Sequence, residues 1–77
     1  MQERIKRWTS ELMMIAGLSG FEGPVRRYIR AELKQMGIES RTDMLGNLIA
    51  TIEGNAELPS VMLIAHMDQL GLIVRKI

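Results

Sequence analysis

The sequence predicts an α/β fold in which two amino-terminal helices precede a mixed β-sheet. Apolar residues recur at three- and four-residue steps in the first half of the chain, which is typical of amphipathic helices. After Gly37 the pattern changes to short β-compatible runs separated by turn residues. One continuous apolar run, residues 61–65, is typical of a strand covered on both faces.

The first predicted helix covers residues 2–16. Ile5, Trp8 and Leu12 lie on one stripe, and the charged residues fall mostly on the opposite side. Three glycines within residues 17–23 then end the helix and form a connection to the next element.

The second predicted helix begins at Pro24, because proline suits the first helical turn, where its missing N–H group costs nothing. Gly37 occupies the position of a residue that ends a helix by adopting positive φ. The predicted buried stripe consists of Val25, Ile29, Leu33 and Met36. The basic residues of this helix predict a solvated face; they are Arg26, Arg27, Arg30 and Lys34.

Four strands are predicted after the helices. Residues 38–42 and 48–52 form a hairpin around a turn at 43–47, in which Gly46 is expected at positive φ. Residues 61–65 form a central strand, and a further strand begins at 72–74. Two helices cover only one face of such a sheet, so we expect the domain to be incomplete.

Composition excludes several classes of function. The chain has 77 residues, a net charge of +1 and no cysteine, which argues against nucleic-acid binding, an acidic membrane surface and thiolate metal sites. The first twenty residues carry charges throughout, and no apolar run approaches the ~20 residues of a membrane span. A cytoplasmic, soluble protein is therefore expected.

The residues best suited to chemistry are His66 and Asp68, at the carboxyl end of the predicted central strand. Ligands of open α/β sheets bind at such ends, and a carboxylate two residues away can support the imidazole of a metal ligand. Taken alone the pattern is weak. A histidine there is more often a structural hydrogen-bonding residue, and Asp68 has the alternative of capping a turn before Gly71. The 43–47 turn is either a simple hairpin turn or part of a site's wall.

Three blocks of sequence, in this order, carry a resemblance to a known family. They are SGFEG at 19–23 followed by VRRYI at 25–29, TDMLGNLIA at 42–50, and AHMDQLGLIV at 65–74. Together they resemble the start of the tetrahedral aminopeptidases, metallopeptidase family forty-two (M42), which includes glutamyl aminopeptidases and proteins once labelled endoglucanases.

The resemblance implies an α/β catalytic domain with an inserted β domain, and a zinc or cobalt exopeptidase that removes amino-terminal residues from peptides. By position, His66 is implied as a metal ligand and Asp68 as the catalytic aspartate that orients it. Gln69 departs from the glutamate of many relatives. Peptide substrates and a homo-oligomer, a dodecamer in the family, are the implied partners.

Under this resemblance residues 1–77 are the amino-terminal part of the catalytic domain, ending near where the inserted β domain would begin. The two divalent metal ions of the whole enzyme need further carboxylate and histidine ligands and a glutamate base, for which no position here matches. One ligand, His66, is supplied. We therefore expect these residues alone to be inactive.

Two alternatives stay open at this point. Related two-metal carboxypeptidases and deacylases share the His-x-Asp element. A small non-catalytic interaction module, which pairs an exposed sheet edge with another chain, is the alternative from a different class.

Overall fold

The computed structural model describes residues 2–72, in which two helices precede a two-stranded sheet. The helices are α1 (Gln2–Met13) and α2 (Gly23–Gln35), and the strands are β1 (Ser40–Thr42) and β2 (Leu48–Ala50). This order confirms the predicted start of an α/β fold. The described sheet is antiparallel, so its extension into a mixed sheet stays a prediction. Neither helix combines the length and apolar character needed to cross a membrane.

Helix α1 ends three residues earlier than the predicted residue 16. Beyond Met13 the helical turn becomes narrower, because the backbone N–H of Ile15 donates to the carbonyl of Leu12 at 3.2 Å. A bond to the third preceding residue is the usual way in which a last helical turn narrows. The chain is thereby turned toward Gly17 before it reaches α2.

Helix α2 begins at Gly23, one residue before the predicted start, with Pro24 in its first turn. At its other end Gly37 has φ +78°, which confirms the predicted helix-ending glycine. The N–H of Ile38 reaches back to the carbonyl of Leu33 at 2.9 Å. This is the hydrogen bond of a Schellman motif, and it satisfies a carbonyl that the helix leaves without a partner.

The most enclosed point of the described structure lies where α2 meets the connection after α1. Val25 is only 4% exposed, and Gly17 beside it is also buried. The rest of the predicted apolar stripes is half-buried at Trp8, Leu12, Ile29 and Leu33, and more exposed at Ile5 and Met36. The packing of the described residues is therefore centred on one small contact.

Polar groups join the two helices on the flank of that contact. The carboxylate of Glu32 accepts from Arg7 Nη2 at 2.9 Å and from Trp8 Nε1 at 3.2 Å. The hydroxyl of Tyr28 donates to the carboxylate of Glu11. Burial, together with this hydrogen bond, raises the pKa of Tyr28 to about 12.

The predicted hairpin is present with shorter strands than expected. Its register pairs Ser40 with Ala50 and Thr42 with Leu48. Gly46 has φ +88°, the positive value that the turn was predicted to need. Because a non-glycine residue rarely adopts such a φ, this position favours glycine on backbone grounds alone.

The prediction of a central strand at 61–65 is wrong for the described structure. These residues have no regular secondary structure, and all five are exposed. A strand exists only where a neighbouring strand accepts and donates backbone hydrogen bonds, and within residues 2–72 no such bond reaches this segment. Of the strand predicted at 72–74, Leu72 has no regular structure, and residues 73 and 74 lie outside the described residues.

The Tyr28–Glu11 hydrogen bond predicts a loss of stability in alkali. Because the folded chain holds the phenol proton more tightly than the unfolded chain, the contribution of Tyr28 is complete below about pH 10 and is lost as the pH rises through about 12. Since Tyr28 is the single tyrosine, an ultraviolet titration of its phenol reports this ionisation directly. Urea unfolding across the same pH range measures the loss, and Tyr28→Phe is the control that removes this component. An equal fall in the free energy of unfolding with rising pH, in the wild type and in Tyr28→Phe, would contradict this prediction.

Candidate functional site

His66 and Asp68 contact each other, as their spacing suggested. The Nδ1 atom of His66 lies 3.0 Å from Asp68 Oδ1 and 3.0 Å from the Asp68 backbone oxygen. Both partners are acceptors, so Nδ1 carries the proton and the lone pair of the neutral ring lies on Nε2. The His66 side chain is 85% exposed, which leaves that lone pair accessible to a ligand. The metal and catalytic roles of the pair stay predictions.

The segment that carries this pair is tied to the connection after α1. The backbone N–H of Gln69 donates to the carbonyl of Gly17 at 2.7 Å, and Gln69 Nε2 donates to the carbonyl of Ile15 at 2.5 Å. These bonds join residues more than fifty positions apart in the sequence. They hold the His66–Asp68 segment against the amino-terminal half of the chain.

Gly17 permits this close approach because it has no side chain. A Cβ atom at this position would lie 2.6 Å from Cγ2 of Val25 and 3.5 Å from the carbonyl oxygen of Met67. The first distance is shorter than Cβ contacts tolerate, so a larger residue would collide with Val25, and either that side chain or its helix would have to shift.

His66 and Asp68 line two clefts. The larger, about 440 Å³, is also lined by Leu18 and Ser19 of the α1–α2 connection. The smaller, about 190 Å³, is also lined by residues of the hairpin turn. The pair therefore contributes to two concave surfaces formed by segments distant in sequence.

The hairpin turn lines the smaller cleft together with His66 and Asp68. Gly46 and Asn47 contribute from the turn, and Arg26 contributes from the start of α2. Of the two interpretations of the turn, this arrangement favours the one in which it forms a wall beside the pair.

Asp43 organises that turn and is not free to act as a ligand. Its carboxylate accepts from the N–H of Leu45 at 3.0 Å, and from the N–H and side-chain amide of Asn47, both at 2.9 Å. The bonds from Asn47 hold the pKa of Asp43 below its ordinary value, with smaller contributions from Leu45 and from the charge of Arg41. The carboxylate thus stays ionised and committed to the turn.

Arg26 and Gln69 are the site residues that the sequence did not reveal. Arg26 was assigned to a solvated basic face, yet it is half-buried and its Nε donates to the carbonyl of Gly46 at 2.7 Å, which fixes the turn to α2. Gln69 was noted only as a departure from the glutamate of many relatives, with an effect on the local field. Both act through backbone carbonyls, and such contacts leave no spacing pattern in the sequence.

The donors present fit one position of a metal site. Within residues 2–72 no group of three or more histidine, cysteine, aspartate or glutamate side chains is placed to hold one ion. His66, with Nδ1 held by acceptors and Nε2 accessible, has the arrangement that a metal-ligating histidine normally shows. The described residues therefore supply one candidate ligand and its supporting carboxylate.

Residues 46–77, which include the last two residues of the hairpin turn and the His66–Asp68 segment, match the model of the M42 glutamyl aminopeptidase family. The chain is similar in sequence to the M42 aminopeptidases. The predicted resemblance is thereby confirmed. A glutamyl aminopeptidase of Lactococcus lactis subsp. cremoris is 40% identical over 67 residues, which are 86% of this chain and 19% of that protein.

A second similar protein carries another aminopeptidase name. The lysyl aminopeptidase of Pyrococcus furiosus is 44% identical over 62 residues, which are 79% of this chain and 17% of that protein. The chain thus spans about a fifth of the length of the curated relatives it matches. No solved structure matches it.

The contact between Gly17 and Val25 predicts a coupled pair of mutations. Gly17→Ala should lower the free energy of unfolding by about 1–3 kcal/mol, because the new methyl group collides with Val25. Val25→Ala removes the methyl group that is hit. The double variant should therefore be more stable than the sum of the single losses indicates, by at least about 0.5 kcal/mol.

Urea unfolding followed by circular dichroism measures this double-mutant cycle. Gly54→Ala is the matched control, since a Cβ atom there meets nothing within 4 Å. Strict additivity of the Gly17 and Val25 variants would show that the two positions do not pack together in solution.

Proposed function

We propose that residues 1–77 are the amino-terminal part of the catalytic domain of a two-metal aminopeptidase, which removes amino-terminal residues from peptides. The observation that carries this proposal is the His66–Asp68 contact, which lies inside the segment that matches the M42 glutamyl aminopeptidase family. The names of the relatives, glutamyl and lysyl aminopeptidase, favour this reaction over the related carboxypeptidase and deacylase chemistries.

In this proposal His66 binds one of two divalent metal ions, zinc or cobalt, through Nε2. Asp68 holds the proton of Nδ1, which fixes the ring tautomer, keeps the Nε2 lone pair available and increases its basicity. When bound, such a metal pair polarises the peptide carbonyl and lowers the pKa of a coordinated water. The remaining ligands and the general base belong to other parts of the whole enzyme.

The surroundings of the pair suit a peptide substrate. The larger cleft is lined by the apolar side chain of Leu18 and by Ser19 together with His66, a mixture that can accommodate a side chain and a backbone polar group. The further parts of the proposal are a cytoplasmic location and a homo-oligomeric assembly. The location follows from the composition, and the assembly follows from the family resemblance.

The roles assigned to His66 and Asp68 predict different losses in the full-length protein. His66→Ala should remove about one metal ion per chain and abolish peptide hydrolysis, because it deletes a direct ligand. Asp68→Asn should reduce metal affinity or activity by about 10- to 100-fold, since the ring loses its carboxylate support.

Elemental analysis of the purified protein and release of amino-terminal residues from short peptides provide the two measurements. Gln35→Glu, on the exposed side of α2, is the control that should change neither quantity. Full metal content in the His66 variant would rule out the ligand role.

Residues 1–77 by themselves should show no peptidase activity. One imidazole and one supporting carboxylate are fewer than the three or more ligands of a catalytic zinc site. The purified chain, incubated with zinc or cobalt and an amino-terminally unblocked peptide, provides the test. Metal-dependent turnover that disappears in the His66→Ala chain would refute this part of the proposal.

A further inference from the structure

The geometry points to Gln69 as a positioning residue, whose side-chain amide holds the His66–Asp68 pair in place by binding the connection after α1. The inference deepens the proposed function and rests on it for the meaning of the pair. The contact on which it depends joins the Gln69 amide to the Ile15 carbonyl, and this contact can be tested separately from the metal role.

Gln69 makes two hydrogen bonds to the same short stretch of chain. Its backbone N–H donates to Gly17 O at 2.7 Å, and its side-chain Nε2 donates to Ile15 O at 2.5 Å. Both acceptors lie just beyond α1, where the carbonyls have no partner in a continuing helix. One residue of the site segment therefore satisfies two carbonyls of the connection and gains a two-point attachment.

The attachment acts on the pair through the chain itself. Gln69 directly follows Asp68, whose carboxylate and backbone oxygen both accept from His66 Nδ1. On the other side of Asp68, the carbonyl of Met67 lies beside Gly17. Asp68 therefore lies between Met67, whose carbonyl is close to Gly17, and Gln69, which is bonded to it, and this limits the movement of both Asp68 acceptors.

In this chain the side-chain contact is made by an amide, at a position where many relatives have glutamate, so the attachment is specific to this chain. The carbonyl of Ile15 can only accept, so its partner must donate, and a glutamate carboxylate has no proton to donate at neutral pH. A glutamate would in addition place a negative charge near the carbonyl end of α1, where the helix dipole is unfavourable to anions. Methionine has a similar length but neither donor nor charge. We therefore expect the attachment to be strongest with glutamine, weaker with methionine and weakest with glutamate.

Two observables follow the contact in the 77-residue chain by nuclear magnetic resonance. The first is hydrogen exchange of the backbone N–H at position 69, which reports its bond to Gly17. The second is the pair of ring nitrogen shifts of His66, which report how the proton is divided between Nδ1 and Nε2. Because His66 is the single histidine, its ring signals need no separate assignment.

Gln69→Met should accelerate exchange at position 69 by about fivefold, the factor that corresponds to one lost neutral hydrogen bond, and Gln69→Glu should accelerate it further. Both variants should shift the His66 ring nitrogens away from a predominantly Nδ1-protonated form. Gln35→Glu makes the same chemical change at an exposed position of α2 and should leave both observables unchanged.

Wild-type exchange and wild-type ring shifts in both Gln69 variants would overturn the inference. It would equally be overturned if the ring shifts changed only together with loss of the helical circular dichroism signal, since Gln69 would then stabilise the whole unit and not the pair. Because methionine carries no charge, the Gln69→Met variant separates the loss of the hydrogen bond from the effect of an added charge.

The outcome separates this inference from the proposed function. If His66→Ala in the full-length protein keeps its metal while Gln69→Glu still alters the His66 ring shifts, the positioning role stands and the metal role fails. If His66→Ala loses its metal but the Gln69 variants leave the ring unchanged, the metal role stands and the positioning role fails.

Discussion

The described structure depends on the absence of a side chain at Gly17. Val25 is the buried residue of α2, and it can pack against the chain after α1 because Gly17 has only backbone atoms there. The same bare backbone presents the carbonyl that accepts from Gln69. One residue thus permits both the helix packing and the attachment of the His66–Asp68 segment. Packing and site geometry are therefore not independent in this protein.

Beyond the side-chain contacts between the two helices, the other segments are joined by polar side chains that bind backbone atoms. Arg26 fixes the hairpin turn to α2 through Gly46, and Gln69 fixes the site segment to the chain after α1. Asp43 closes the turn on itself. Such bonds contribute modestly to stability, about 1 kcal/mol each, but they are directional and so define geometry more than they add energy. This suits the role proposed for the His66–Asp68 segment, which is to present one ring nitrogen to a metal ion.

Local chemistry explains what could be predicted from the sequence and what could not. The helices, the glycines at 37 and 46 and the hairpin depend on neighbours within a few residues, and their patterns were sufficient. The run at 61–65 has the composition of a buried strand, but composition does not supply the partner strand that its backbone needs. The contact of Asp68 with His66 followed from spacing, whereas the roles of Arg26 and Gln69 arise from long-range contacts with carbonyls.

The exposed run at 61–65 has a consequence for the behaviour of the chain in solution. Val61, Met62, Leu63 and Ile64 are each at least 80% exposed, and the segment has neither charge nor proline within it. Short, uncharged segments of high β-propensity favour stacking of identical chains into cross-β assemblies. Aggregation of the 77-residue chain should therefore increase steeply with its concentration, and low concentrations will be needed to study its monomer.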